Sequence, residues 1–186
     1  MQQLTLTRDE AYRKTVEQLG TGNLLKHVLA VEAGMRRLAE HLEQDVEMWG
    51  LTGLIHDLDY EKTKDDPDRH GFMTCEWLSQ CRLPSEMLHA IKAHPGHIPC
   101  DNLMDWALYA VDPASGFIVA CALMHPDKKL DAIDIDFMVR RFGEKRFAAG
   151  ASRENMAACS NLGLTLEQFL ILVQEGMLRI RTDLGL

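Results

Sequence analysis

The sequence predicts an all-α fold. Helical signals recur along the whole chain, capping residues punctuate it, and the period-2 alternation bounded by tight turns that marks a sheet is hard to find. Thr7, with Glu10 three residues on, makes a capping box that opens a first helix running to about residue 19, and GTGN at residues 20–23 ends it. Asn23 stands where it can cap a second helix reaching about residue 42. A third begins near Asp45, carries Val46, Trp49, Leu54 and Ile55, and ends around His56 and Asp57. The polar, Pro-containing DYEKTKDDPDR at residues 59–69 reads as a surface loop. A fourth helix covers residues 70–80, and Ser85 caps a fifth that Pro95 and Gly96 stop just past His94. A sixth starts at Asn102 or its neighbour and is interrupted at Asp112-Pro113, with the apolar GFIVACALM continuing to about residue 125. Three more follow, at residues 134–145, 152–162 and 165 to about 184.

A chain of 186 residues, 46% hydrophobic and 26% charged, has the makeup of one domain able to bury a substantial core, with residues 1–186 in a single unit. The net charge of −8 excludes a basic footprint for nucleic-acid backbone, and no Lys/Arg run suggests a membrane-surface patch. The five cysteines, at 75, 81, 100, 121 and 159, form no C-x-x-C pair and are odd in number, as reduced thiols would be. The stretch MQQLTLTRDEAYRK lacks a positive region followed by an apolar one, and no uninterrupted apolar run is long enough to span a bilayer. The expectation is a cytoplasmic protein without a membrane partner. Its helical faces can support a homodimer, but no heptad run specifies one.

The eight histidines separate when each is set against the residues three, four and seven away on its helix face. His27 shares a stripe with Val31, Gly34 and Leu38, and His94 with Met87, Ala90 and Ile91, so both point toward the core. His41, near Arg37, and His89, flanked by Glu86 and Lys92, sit on polar faces and are assigned to solvent. His125, before Pro126, is given no role. His70 opens a face continuing through Met73, Thr74 and Trp77, and His97 lies in the HPGHIP turn; both can reach a site formed by the longer helices.

His56 and Asp57 end an apolar run, where burying an unpaired imidazole and carboxylate is costly without a partner or a metal. Each residue alone has a plainer reading. A single inward histidine is usually a hydrogen-bonded core residue, and Asp112 before Pro113 is what a helix N-cap with Pro in the first turn looks like. Asp59 reads as a loop residue, and Lys62 and Lys64 as a solvated face. Convergence favours a site: His27, His56, Asp57, His70, His94 and Asp112 appear in chain order on or beside helix ends.

Those residues resemble the HD-domain superfamily of metal-dependent hydrolases, whose H…HD…D signature is often extended by further histidines. The matching blocks are KHVLAVE, GLIHDLDYEKT, RHGFMT, AIKAHPGH and ALYAVDPASGFI, which cover Leu24 to about Leu130 and are most similar to small HDIG-type proteins. The metal-binding core is thus expected at about residues 24–130, with C-terminal helices at about 131–186. Leu58-Asp59 stands where Ile-Gly is usual, and no lysine follows directly, which leaves Lys62 to fill that place. The resemblance implies a helical bundle with a metal at its centre and hydrolysis of a phosphate ester or anhydride.

Imidazoles with carboxylates suit a divalent transition metal such as Mn, Fe, Co, Ni or Zn. If four residues bind, His27, His56, Asp57 and Asp112 hold one ion; if His70 and His94 also bind, Asp57 bridges to a second. Asp57 is the candidate catalytic residue, with Asp59 beside it able to orient water, and Lys62, Arg69 and His97 are candidates for neutralising a substrate phosphate. No Walker lysine loop and no G-x-G-x-x-G is present. The expected activity is metal-dependent hydrolysis of a small phosphorylated metabolite, a nucleotide before others. The alternatives are a di-iron oxygenase on the same fold and a non-catalytic sensor that binds nucleotide or metal.

Overall fold

In the computed structural model, which describes residues 6–186, every regular element is helical. Of the amino-terminal stretch read above for a targeting signal, residues 1–5 lie outside the described part. Eleven α-helices follow one another among the described residues: α1 (Arg8–Leu19), α2 (Asn23–His41), α3 (Val46–Ile55), α4 (Tyr60–Thr63), α5 (Phe72–Trp77), α6 (Ser85–Ala93), α7 (Leu103–Met124), α8 (Ile135–Gly143), α9 (Arg153–Ala157), α10 (Leu166–Leu178) and α11 (Arg181–Leu184).

The caps explain most of the boundaries. Thr7 and Glu10 close the expected box at α1, and Thr165 with Gln168 makes a second at α10. Asp45, Asn102, Asp134 and Ser152 each accept a bond from the backbone N–H three residues on, starting α3, α7, α8 and α9. Asn23 and Ser85 are already the first helical residues, so neither caps; Gly22 and Pro84 hold those positions without a side-chain bond.

α2 is the axis of the bundle. It buries Val28, Ala30, Val31, Met35 and Leu38, and α3, α7 and α10 pack around it. The valine, leucine and methionine side chains among them contribute roughly 1.5–3 kcal/mol each when fully buried. The α10 crossing is close: a Cβ on Gly176 would collide with the Ala33 carbonyl, so only glycine fits. Glu32, buried on α2, is held by Nε and Nη2 of Arg8, at 2.7 and 2.9 Å, and by Arg36 at 3.0 Å, which ties α1 to the axis.

Four expectations give way. α7 runs unbroken through Asp112 and Pro113, although proline removes a helical bond and disfavours the α-region just before it. Burial on both sides, from Leu108 and Val111 to Phe117 and Ile118, outweighs that cost. As a result α7 is long and apolar enough to cross a bilayer, contrary to the short runs read from the sequence, but its middle, from Met104 to Ala122, is largely packed in the bundle, and Leu103, Leu123 and Met124 at its ends are exposed. The segment after the motif is not a plain surface loop, since α4 forms there and Asp59 is fully buried. The fourth helix is shorter than residues 70–80, because Gly71 takes a φ of 77° and separates His70 from α5. No disulfide joins any of the five cysteines.

Candidate metal centre

Two of the six predicted site residues are helix C-caps. α3 ends at Ile55 and α6 at Ala93, so His56 and His94 stand where the last turn's carbonyls lack helical donors. Each ring supplies one: His56 Nδ1 donates to the Gly53 carbonyl at 2.8 Å and His94 Nδ1 to the Ile91 carbonyl at 2.7 Å. Those bonds place a ring proton on Nδ1 and turn Nε2 to the bundle centre, where it is the nitrogen free to ligate once it carries no proton.

His27, from α2, follows the same rule with a different acceptor. Its Nδ1 is 3.1 Å from Ser115 Oγ, and that hydroxyl donates to the Asp112 carbonyl at 2.9 Å, so it is left to accept from the ring. His70, between a short 3₁₀ turn and Gly71, has Nδ1 2.8 Å from Asp59 Oδ1. Asp112 comes from the middle of α7, which removes its reading as an N-cap.

The four Nε2 atoms converge on two carboxylates. Asp57 Oδ1 lies 3.2 Å from His70, 3.3 Å from His56 and 3.4 Å from His94, while its Oδ2 is 3.7 Å from His27. Asp112 Oδ1 is 3.0 Å from His27 and 3.8 Å from His56. The structure therefore brings all six together. Two observations show that they fit a divalent ion. His56 Nε2 is buried with no hydrogen-bond partner, and the Nε2 atoms of His70 and His94 face each other at 3.1 Å, an arrangement that needs a cation or a proton between the lone pairs. The donors of His27, His56 and Asp112 lie within 4.8 Å of one another, as do those of His56, Asp57 and His94, close to what atoms each about 2.1 Å from a shared ion can span.

Electrostatics favour the ionised carboxylates. Burial works against the charge on Asp57 and Asp112, but the facing histidines outweigh it and hold both well below the usual carboxylate range. Burial likewise opposes protonation of His70 and His56, yet the aspartates push them up to about 10 and about 8. His94 goes the other way, lowered by burial.

The centre is closed on one side and open on the other. The side chains of His56 and His94 are 0% and 2% exposed, those of His27 and Asp112 25% and 31%. The open edge faces a cavity of about 400 Å³ bounded also by Pro113, Gly116, Ala148, Gly150, Ser152 and Asn155. Its far wall is fixed by Arg153, whose guanidinium donates to the carbonyls of Arg141, Phe142, Phe147, Ala148 and Ala151 and lies over the Phe117 and Phe142 rings. Sequence reasoning missed this wall, because a side chain that serves backbone carbonyls leaves no paired charge or periodic spacing to find.

The other candidates stand outside the cluster. Arg69 pairs with Glu76 at 3.3 Å, His97 Nε2 donates to the Pro67 carbonyl at 3.0 Å and stacks on Phe72, and Lys62 is exposed on α4. Asp59 is not free to orient water, since both its oxygens are engaged by His70, Gly71 and Thr74. His41 is exposed as expected, but His89 is not a solvent residue. It is half-buried, with Nδ1 2.8 Å from the buried Asp105 and Nε2 3.4 Å from Asp101, and links α6 to the start of α7.

An all-helical bundle with an inward cluster of four histidines and two aspartates defines a class of metal-site proteins. The family model of the HD domain matches residues 24–136, more than half of the chain, and this chain belongs to that family. No curated protein and no solved structure matches it.

Proposed function

We propose that this chain is a metal-dependent hydrolase of phosphate esters or anhydrides acting on a small phosphorylated metabolite, with a nucleotide as the favoured substrate. The observation that carries the reading is the convergence of four imidazole Nε2 atoms and two depressed carboxylates at a buried centre whose most exposed members, His27 and Asp112, face a cavity of about 400 Å³. In this reading His27, His56, Asp57 and Asp112 hold one ion, and Asp57 with His70 and His94 holds a second. A divalent ion bound there supplies a water of lowered pKa and a Lewis acid for a phosphoryl oxygen.

The chain's own contribution is positioning. The hydrogen bonds at Nδ1 of His56, His94 and His27 fix the rings before any ligand arrives, so little reorganisation is needed. Burial of His56 and His94 keeps bulk water from the rear of the centre. Asp57 presents an unprotonated oxygen next to the place where a nucleophile must lose its proton. The net charge of −8 offers no field for a polyanion, which supports a small substrate over a nucleic acid. The continuous hydrophobic cluster from Leu6 to Leu184 supports one domain over the whole chain.

The test is hydrolysis of p-nitrophenyl phosphate, its bis ester, pyrophosphate and a nucleotide panel with Mn²⁺, Co²⁺ or Ni²⁺. Activity with at least one class, lost on Asp57→Ala, is expected. Metal-loaded protein inert toward all of them would sink the proposal, and oxygen consumption by an iron-loaded sample would redirect it to oxygenase chemistry.

A further inference from the structure

We propose that Asp59, which stands where the family's motif usually has glycine, is a positioning residue for His70, and that through His70 it sets the affinity of the centre for a second divalent ion. This rests on the reading that the centre holds divalent ions, and not on the reaction they serve.

Asp59 is fully buried and every polar atom it has is committed. Oδ1 accepts from His70 Nδ1 at 2.8 Å; Oδ2 accepts from the backbone N–H groups of Gly71 and Thr74 at 2.8 and 2.9 Å. Its own N–H donates to Thr74 Oγ1 at 3.1 Å, and its carbonyl accepts from Thr63 Oγ1 at 3.0 Å. That threonine oxygen is also 3.2 Å from His70 Nδ1, and with its hydrogen given to Asp59 it can only accept. All the groups around Nδ1 therefore demand a proton from it, and Nε2 is the atom offered to Asp57 and His94.

His70 needs this support more than the other three histidines do. His27 stands within α2, and His56 and His94 cap α3 and α6, bonding carbonyls of their own helices. His70 sits between a 3₁₀ turn and a glycine at positive φ, where Asp59 alone ties the ring, Gly71 and Thr74 into one unit. It is also the one histidine of the four whose Nδ1 faces a full carboxylate, which raises the basicity of the opposite nitrogen as a ligand. A glycine at 59 could do none of this.

Asp59→Asn gives a sharp test. If the asparagine oxygen keeps the Gly71 and Thr74 N–H groups, its NH₂ faces Nδ1, the ring proton moves to Nε2, and His70 is blocked as a ligand. Mn²⁺ binding by calorimetry, with metal content per chain, should show two ions on the wild type. On Asp59→Asn the second ion should weaken about 10- to 100-fold while the first is unchanged. His70→Ala should lose the second ion, and the double variant should be no worse than His70→Ala alone.

Unchanged binding of both ions to Asp59→Asn, or equal weakening of both, overturns the proposal. So does a wild type that takes up one ion, though a one-ion hydrolase would survive that result. Two ions with no phosphate hydrolysis would remove the proposed function and leave Asp59's role standing. Should Asp59→Asn fail to fold, ring-nitrogen NMR of the metal-free wild type, taken to alkaline pH until the His70 ring is neutral, decides: the neutral ring is expected with its one proton on Nδ1, and a neutral ring protonated on Nε2 overturns the assignment.

Discussion

His70 and His56 keep their protons well into the alkaline range, despite burial, because Asp57, Asp59 and Asp112 face them, and this fixes how the metal-free protein responds to pH. A histidine whose folded pKa lies above its unfolded value of about 6.5 adds stability that is complete below that pH and is lost as pH rises through the folded pKa. Here the loss runs from about 6.5 through about 8 and about 10. Asp57 and Asp112 are depressed, so their contribution is present above about 3.9 and lost as pH falls. Chelator-treated protein is therefore expected to melt lower at pH 8.5 than at pH 6, whereas the stabilisation given by excess Co²⁺ grows over the same interval as the ring protons it must displace become easier to remove. A metal-free melting temperature that rises toward pH 8.5 would contradict this. Ser115 acts on the neighbouring ring. Ser115→Ala removes the acceptor for His27 Nδ1 and should lower stability by about 1 kcal/mol in denaturant melts while weakening Co²⁺ binding by calorimetry.

Among the elements, α9 carries the residue with the widest reach. Arg153 holds five carbonyls of the segment from Arg141 to Ala151, and that segment walls the cavity opposite His27 and Asp112. Arg153→Ala should cost about 1–3 kcal/mol in denaturant melts, raise KM in the proposed hydrolysis, and leave metal content at the wild-type level. A fall in metal content in step with activity would show that the segment supports the centre itself. The same elements show what could be read in advance. The capping box at Thr7 and the inward stripe through His27, Val31 and Leu38 are local, periodic signals, and the six converging residues could be named from them and from the motif blocks. Asp59 was hidden because DYEKTKDDPDR has the composition of a solvated loop, and nothing within a few residues reveals that its first member folds back on His70 and Thr74. Asp112-Pro113 read as a break because local backbone preference points that way, and only packing on both flanks reverses it. The sequence neighbours of His89 point it to solvent, while its partner Asp105 lies on another helix.

For the molecule as a whole, the match to the family domain stops at Asp136, but the core does not. α10 inserts Phe169, Leu170, Val173 and Met177 against the rest of the bundle, with Gly176 permitting contact with the Ala33 carbonyl, and α11 adds Leu184. Two ion pairs, Arg37 with Glu175 at 2.8 Å and Arg179 with Glu40 at 2.6 Å, fasten this end to α2, and Lys26 of α2 donates to the Leu184 carbonyl at 2.9 Å. The ion pairs are largely exposed and contribute little each. The four apolar side chains of α10 are each worth roughly 1.5–3 kcal/mol, together comparable to the whole net stability of about 5–15 kcal/mol expected of a domain. A chain ending at residue 136 keeps all six residues of the centre but loses that burial and the cavity wall. It should therefore fail to give a cooperative melt, and added Co²⁺ should not restore one, because His27 is carried by α2, the helix that loses its packing against α10. A truncated chain that melts cooperatively and binds the metal with full-length affinity would show that the C-terminal helices are dispensable to the centre. Gly176→Val tests the same dependence in the intact chain: a β-branched side chain against the Ala33 carbonyl should lower stability by about 1–3 kcal/mol or more and lower metal affinity only as far as α2 shifts with it.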